Sequence, residues 1–544
     1  MIKGENEWQV FGPPGTGKTT YLSKKIAAAA EKSGGERIMV SSFTRTAAKE
    51  LTGRELPVPR NNVGTLHSFC FRMLGNPTIA ESKIKEFNNE HPNMKLSTSS
   101  PDVNESSVDM TFQTEADPIF NQVQINRARM IPEDRWMPHQ LTFHKAWERW
   151  KWMNGYLDFT DLIEHTRKQD LCPPGVDIGI FDEAQDFTPL QLDLIRQWAT
   201  NSLKYILIAG DDDQAIFGFT GADPHVFLNP DVTEDRKVIL DRSYRCPRVV
   251  LEKALGWIER IAVRQPKNVM PRLEGDSEVE GEIHRLPLSM HSGDQLAYQI
   301  KCMMEDRPDE TFMVLSSCSY MLQSTTKALK DMGIPFGNKY RRRQGAWNPL
   351  HPQRGVSAAG RLLAYLNPQG PELDGMRMWD NVQLHRWVDV CQADGLLKKG
   401  GKKLIRDFSK LDQYTTAELH EVLFKAIEDD KLNEAIYLVP EWFYKHIMPS
   451  KMDAFNYPIK IKKNYGTQAL QEEPRLIVST IHAVKGAEAD NVILFPDISM
   501  KANTMSHRSQ EVREGVIRQF YVGMTRAKER LYICSPGGSF RVVI

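Results

Sequence analysis

No run of apolar residues in this chain approaches the ~18 that a membrane-spanning helix needs. The opening segment, MIKGENEW, has none of the apolar stretch that a secretory leader carries. Neither sign of charge is in excess: 70 Lys and Arg stand against 70 Asp and Glu, a formal net charge of +0. That balance excludes a globally basic nucleic-acid coat but not a local basic groove, because a total does not say where charges sit. Cysteine is sparse too. Cys70, Cys172, Cys246, Cys302, Cys318, Cys391 and Cys534 are odd in number, far apart and without CxxC spacing. This excludes a disulfide scaffold, argues against a zinc or iron–sulfur centre, and predicts free thiols in a reducing, cytoplasmic compartment. No internal repeat is visible beyond a general likeness of two α/β halves.

What is present is an ordinary globular composition, 41% hydrophobic and 26% charged over 544 residues. A chain of that length exceeds one hydrophobic core. The apolar runs Trp8–Phe11, Arg37–Ser41, Ile178–Phe181, Tyr205–Ala209 and Lys237–Leu240 read as buried strands. They alternate with helical patterns, as a parallel sheet requires. A second set follows at Phe312–Leu315, Leu476–Val478, Val492–Phe495 and Leu531–Ile533. The expected fold is α/β, with two parallel-sheet domains, each carrying a mostly helical insertion. The first domain is expected at 1–74 and 146–240, interrupted by 75–145. The second is expected at 241–350 and 471–544, interrupted by 351–470. Within the first insertion, the Ser/Asn-rich acidic stretch Ser97–Asp109 reads as an exposed loop.

Gly12-Pro13-Pro14-Gly15-Thr16-Gly17-Lys18-Thr19 fits the phosphate-binding loop pattern, with a strand before it and a helix, Thr20–Lys32, after it. The glycines let backbone N–H groups approach phosphates, Lys18 neutralises their oxygens, and the Thr19 hydroxyl can ligate Mg²⁺. Asp182 and Glu183 end an apolar run, at the carboxyl edge where open α/β sheets collect ligands. One carboxylate can serve the Mg²⁺ shell and the other can accept a proton from attacking water. A bare Gly-rich turn and a solvated strand end are the competing readings, and each is weakened by the presence of the other motif.

Further segments carry a resemblance. Asp182-Glu183-Ala184-Gln185-Asp186-Phe187-Thr188-Pro189-Leu190-Gln191 is similar to the second motif of the UvrD/Rep-like superfamily 1 helicases. In collinear order, Ser42–Leu51 and Val63–Phe69 resemble motifs Ia and Ib, Asp158–Leu162 the segment preceding motif II, and Gly210–Ala222, Ser243–Arg245, Thr480–Glu488 and Tyr521–Ala527 motifs III, IV, V and VI. The series is specific because of its order and its spread over the chain. The two insertions carry little of it.

The resemblance implies ATP bound with Mg²⁺ between two RecA-like domains and single-stranded DNA lying across them. Lys18, Asp182, Glu183, Gln214, Arg245 and Arg526 are the implied catalytic set, with Gln214 sensing the terminal phosphate and the two arginines reaching it as fingers. Gly12, Pro13, Gly15, Thr16, Gly17, Thr19, Thr20, Tyr244, Gly486 and Glu488 complete the nucleotide site, and Thr19 with Asp182 would hold the metal. Phe43, Thr65, His67, Phe217, Phe219, Thr480 and His482 fall to DNA, aromatic faces stacking on bases without reading them. A core position is the competing reading for Phe43, Phe217 and Phe219. Basic runs at Lys339–Arg343, Lys398–Lys403 and Lys460–Lys463 are candidates for local positive potential, and a solvated face explains each equally well.

The implied activity is an ATP-dependent DNA helicase moving 3′→5′ on single-stranded DNA, acting at single/double-strand junctions, with no membrane partner. A monomer is expected, RNA stays open as a substrate, and no replication or repair partner is specified. A single-strand translocase that removes bound proteins without efficient unwinding is the alternative. A P-loop kinase and a DNA-binding scaffold are rivals from other classes, disfavoured by the paired arginines and the intact catalytic set.

The chain also departs from the family pattern. Only Met1–Phe11 precede Gly12, so an upstream adenine-recognising glutamine is not expected, and Gln9 lies inside the first strand. Thr20 stands where an arginine is common, and Phe219-Thr220 where Trp-Arg is common, so a charge is missing there. Ala487 replaces a usual leucine. Ile544 follows soon after Arg526, so an appended nuclease is not expected. The expected consequence is loose nucleotide selectivity. Steady-state hydrolysis should give comparable kcat/KM for ATP and GTP, and a preference for ATP of about a hundredfold would reject this.

Overall fold

The computed structural model describes residues 6–42, 56–98, 112–229, 232–338, 340, 347–350, 356–373 and 375–544. Phe43, most of Ser42–Leu51, Ser99–Asp109 of the acidic stretch, and all of Lys339–Arg343 except Tyr340 lie outside the described residues. Two compact units are present. One comprises Met1–His284, Thr480–Ile533 and Gly538–Ile544, the other Arg285–Ser479 and Cys534–Gly537. No helix among the described residues is long and apolar enough to cross a membrane.

The first unit is built on a six-stranded sheet of β1 (Glu7–Phe11), β2 (Ile38–Ser42), β3 (Val63–Gly64), β4 (Ile178–Asp182), β5 (Tyr205–Gly210) and β6 (Lys237–Ile239). Its order is β3-β2-β4-β5-β1-β6, and every pairing is parallel. Successive strand residues face opposite sides, so neighbours in sequence enter different cores. Val10, Ile38, Val40, Ile180 and Leu207 pack with Leu22 and Ile26 of helix α1 (Lys18–Ser33) on one side. Phe11, Met39, Phe181, Ile206 and Ile208 pack with Leu66, Phe69, Leu194 and Trp198 on the other. Cover on both faces is why these strands read as continuous apolar runs. Helix α1 ends at Gly34, whose φ of 86° lets its N–H close onto Ala30 O. The same unit contains Ala489–Leu494 paired in parallel with the strand Ala527–Cys534 as far as Ile533.

In the second unit, strand Phe312–Ser316 stands in the chain between helices Gly293–Asp306 and Gln323–Met332, and its sheet neighbour is the strand Leu476–Thr480, of which the residues to Ser479 belong to this unit. All four apolar runs of the second set are therefore strands. Between 350 and 470 the chain is mostly helical, from Ala358–Leu366 to Met452–Tyr465, around stacked Tyr365, Trp379 and Phe443. None of the seven cysteines is in a disulfide.

The first insertion has a core of its own, made of Phe87, Val123, Trp136, Phe143, Trp147 and Trp150. Its helix Pro138–Asn154 runs through the boundary expected between residues 145 and 146, and Trp147 and Trp150 belong to that core. A buried ion network fastens the insertion to the helix Phe159–Lys168. Arg127 meets Asp158 at 2.7 Å and Asp161 at 2.6 Å, and Lys151 meets Asp158 at 2.8 Å as well as Asp161. All four side chains are buried. Burial would push the Asp158 carboxyl up, but Arg127 and Lys151 outweigh it and hold the group below its ordinary value. Deleting one member of a buried network leaves an uncompensated charge. Arg127→Leu is expected to cost about 3–5 kcal/mol of stability. Denaturant unfolding reads this directly, and an unchanged midpoint would show that Lys151 alone satisfies both aspartates.

Candidate nucleotide and polynucleotide site

The loop from Gly12 to Gly17 leaves β1 and turns into α1. Gly15 and Gly17 have φ of 75° and 73°, conformations that cost any other residue strain. Thr16 braces the turn by donating its hydroxyl proton to Pro13 O at 2.8 Å. A Cβ on Gly15 would fall 2.5 Å from Arg245 Cβ and 2.8 Å from Ser243 Oγ, so the Ser243–Arg245 segment lies directly on the loop. Tyr244 N–H donates to Gly15 O at 2.8 Å, and Ser243 Oγ–H to Pro14 O at 2.9 Å. The Tyr244 ring is exposed beside Gly17, available to a flat ligand face.

Lys18, in the first turn of α1, places its ammonium 3.1 Å from Asp182 Oδ1 and 2.7 Å from Glu183 Oε1. Glu183 has φ of 58°, a left-handed backbone unusual outside glycine. Its N–H closes onto Asp182 Oδ1 at 2.9 Å, so two successive carboxylates share one site. Burial works against the charge on Lys18, but both carboxylates outweigh it and hold the ammonium above its ordinary value. Burial also opposes ionisation of Glu183, yet Lys18 and Lys485 hold it down at about 2, so it is a carboxylate at neutral pH. Burial pushes Asp182 up against the pull of Lys18, and the Glu183 charge adds to the rise.

A chain of hydrogen bonds leads away from Glu183. Gln185 Nε2 donates to Glu183 Oε2 at 2.5 Å, and Gln185 Oε1 accepts from Asp211 N–H at 2.9 Å. Gln214 Nε2 donates to Asp211 Oδ2 at 2.7 Å, and Gln214 Oε1 accepts from Arg526 Nη2 at 3.2 Å. Arg526 is only 1% exposed, and the acceptors its guanidinium meets are all neutral: Val522 O, Ala487 O, Gln214 Oε1 and Thr525 Oγ1. Burial, and then the like charge of Arg245, draw it down to about 9. Arg245 itself pairs with Glu488 at 2.8 Å. Gly486, with φ of 87°, turns the chain just before Ala487 and Glu488. A buried cation without a carboxylate of its own, beside a second cation, is primed for an anion.

The structure brings together all six expected catalytic residues in this way. Thr19 and Thr20 follow on α1, Thr20 exposed. Gln9 is bound within the sheet, donating to Glu7 Oε1 at 3.0 Å and Phe227 O at 3.3 Å, away from the loop.

Of the residues expected on DNA, Phe217, Phe219 and His482 form one aromatic group, with centroid separations of 5.6, 6.2 and 5.8 Å. Phe219 is 7% exposed, which is the core environment of the competing reading, while Phe217 is half-buried. Phe219 and His482 line a cavity of about 410 Å³, with Ile216, Val263 and Val516 in its wall. Thr480 is buried at the end of its strand. Thr65 and His67 stand apart from this group. Thr65 caps helix Leu66–Met73 by accepting from Ser68 N–H at 3.3 Å, and desolvation draws His67 down to about 4, leaving it neutral.

Several functional contacts were not assigned from sequence. Lys485 reaches Asp186 Oδ2 at 2.5 Å and Glu183 Oε2 at 4.0 Å while standing 5.2 Å from the Phe217 ring centroid. It thereby joins the aromatic group to the carboxylates. Lys267 is buried among Asp211, Asp212 and Asp213 at 2.9, 2.6 and 2.7 Å, and Arg264 holds Asp213 through two bonds. Gln185, Asp186 and Lys485 sit inside quoted motifs, but only the folded geometry reveals their partners.

A phosphate-binding loop backed by paired carboxylates on a parallel sheet, with arginines facing it, defines a P-loop nucleoside-triphosphate motor. Residues 2–233 match the family model of the UvrD/REP helicase N-terminal domain, and residues 444–536 that of the UvrD-like helicase C-terminal domain. The chain belongs to the UvrD/Rep helicase family. It is 23% identical to the ATP-dependent DNA helicase srs2 of Schizosaccharomyces pombe, over 97% of this chain and 70% of that protein. It is 23% and 21% identical to the ATP-dependent DNA helicases PcrA of Staphylococcus epidermidis and Staphylococcus aureus, over 96% of this chain and 80% of each.

Lys18→Met would leave two adjacent carboxylates, the buried Asp182 and the half-buried Glu183, to repel each other. Protonating one relieves that repulsion, so the folded form of the variant binds a proton more tightly than the unfolded chain does. Its stability deficit against wild type should therefore shrink as pH falls below neutrality. Parallel melts across pH 5–8 measure this, and a deficit independent of pH would contradict the coupling.

Proposed function

We propose that this protein is an ATP-dependent DNA helicase that moves 3′→5′ along single-stranded DNA and opens duplex at single/double-strand junctions. The observation that carries the reading is the buried Arg526, held by neutral groups beside Arg245 and joined through Gln214 and Gln185 to Glu183. Such a pocket suits the terminal phosphate of a triphosphate seated on the loop, so that the segments bearing the arginines respond to its presence.

In this scheme Lys18 turns from the carboxylates to the β/γ-phosphates, and Tyr244 lies against the base. Glu183 takes the proton of the attacking water, oriented by Gln185. The Thr19 hydroxyl and the Asp182 carboxylate are hard oxygen donors that suit Mg²⁺, and would hold it once Lys18 has turned. When bound, that cation neutralises charge on the phosphate oxygens. Phe217, Phe219, His482, Thr480, Thr65, His67 and Phe43 are assigned to the strand, and Lys485 carries its arrival to Glu183. Polarity rests on the family resemblance. The division into motor halves at 1–74 with 146–240 and 241–350 with 471–544 belongs to the same proposal, helix Pro138–Asn154 marking where the first insertion returns.

Hydrolysis measured in parallel without polymer and with single-stranded DNA, duplex DNA or RNA should rise most with single-stranded DNA. Displacement of a strand from a 3′-tailed duplex should accompany it. Protein removal without displacement would select the translocase alternative, which shares every residue of the site. Glu183→Gln should bind nucleotide and DNA yet lose hydrolysis and unwinding together, by ~10²–10⁴-fold in turnover. Arg526→Ala should lower DNA-stimulated kcat far more than it raises KM. A Glu183→Gln protein that still unwinds DNA would sink the assigned role.

A further inference from the structure

The helix Asp117–Ala128 of the first insertion ends directly on the loop Phe217–Ala222. Gly221 has φ of 94°, and a Cβ there would meet Ala128 Cβ at 3.1 Å and Thr188 Cγ2 at 3.5 Å, so glycine permits this approach. Arg129 follows as the C-cap, its own N–H closing onto Ile125 O at 2.9 Å, in a position where a cation complements the helix dipole. Its side chain then crosses the loop. Nη2 donates to Gly218 O at 3.2 Å and to Ala222 O at 3.3 Å, the carbonyls on either side of Thr220. The same guanidinium takes Glu511 in a two-pronged pair, with Nη1 3.1 Å from Oε2 and Nη2 on Oε1. Glu511 lies in the first turn of helix Gln510–Met524, the helix that runs to Arg526.

We propose that Arg129 is a positioning residue for the polynucleotide-facing loop: it supplies from the insertion the cation that this loop lacks at Thr220, and clamps the loop to the helix leading to Arg526. The inference rests on the helicase reading above. Strand contact at Phe217 and Phe219 then reaches Arg526 by two routes, through Gln214 and through the Arg129–Glu511 clamp. Planar, two-pronged contact with a carboxylate and simultaneous donation to carbonyls is chemistry that guanidinium performs and ammonium does not. The insertion thereby becomes part of the coupling apparatus.

The test is hydrolysis with and without single-stranded DNA in wild type, Arg129→Ala, Glu511→Gln and Arg129→Ala/Thr220→Arg, with thermal melting alongside. Arg129→Ala should lose about fivefold to tenfold of the DNA stimulation with KM for ATP little changed. Glu511→Gln, altered at an exposed helix start, should lose less in the same direction, and it keeps the inference testable should Arg129→Ala fold poorly. Thr220→Arg should recover most of the loss, because it restores a cation to the loop from within. Wild-type stimulation in Arg129→Ala or Glu511→Gln would overturn the inference, as would a loss that Thr220→Arg leaves untouched. Absence of stimulation in wild type would overturn the helicase reading and this inference with it.

Discussion

Two successive carboxylates at the end of a central strand, Asp182 buried and Glu183 half-buried, are the constraint around which this molecule is arranged. Asp182 and Glu183 repel each other in a poorly hydrated site, and the left-handed backbone at Glu183 holds them there. Lys18 from the phosphate-binding loop and Lys485 from a segment far along the chain neutralise them. Across the same site stand two arginines, one of them buried against neutral acceptors. Acid on one side and base on the other describe a cradle for a polyanion that travels with a cation.

The fold serves this cradle by geometry. The parallel order β3-β2-β4-β5-β1-β6 sets the end of β4 between β2 and β5 and carries the loop after β1 to the same edge. Gln185 bridges the ends of β4 and β5, so the position of Glu183 and that of Gln214 are linked through one side chain. The three aspartates that follow β5 would themselves be unstable in burial. Lys267 and Arg264 compensate them, which fixes the loop bearing Gln214.

Much of this was legible from sequence because the relevant signals are local. Strands covered on both faces leave continuous apolar runs, and a phosphate-binding loop needs glycines at fixed spacing, here Gly15 and Gly17 at positive φ. The contacts that escaped are long-range. Nothing in spacing pairs Lys485 with Asp186, Lys267 with three aspartates, or Arg129 with Glu511. Thr65 carries the local pattern of a helix cap, and that role is the one its hydroxyl performs in this structure. Phe219 shows the limit of aromatic residues as a signal, since the same ring satisfies a core and a stacking surface. The first insertion reaches further than its composition suggested, because its tryptophans recur along the helix Pro138–Asn154 and fill a separate core.

The central claim is that the cradle holds a triphosphate between Lys18 and the two arginines. A crystal structure with a non-hydrolysable ATP analogue and Mg²⁺ tests it most directly. The account predicts Lys18 withdrawn from Asp182 onto the phosphates, and Arg245 and Arg526 directed at the terminal phosphoryl group. Lys18 still seated between Asp182 and Glu183, with both arginines turned away from the nucleotide, would contradict it.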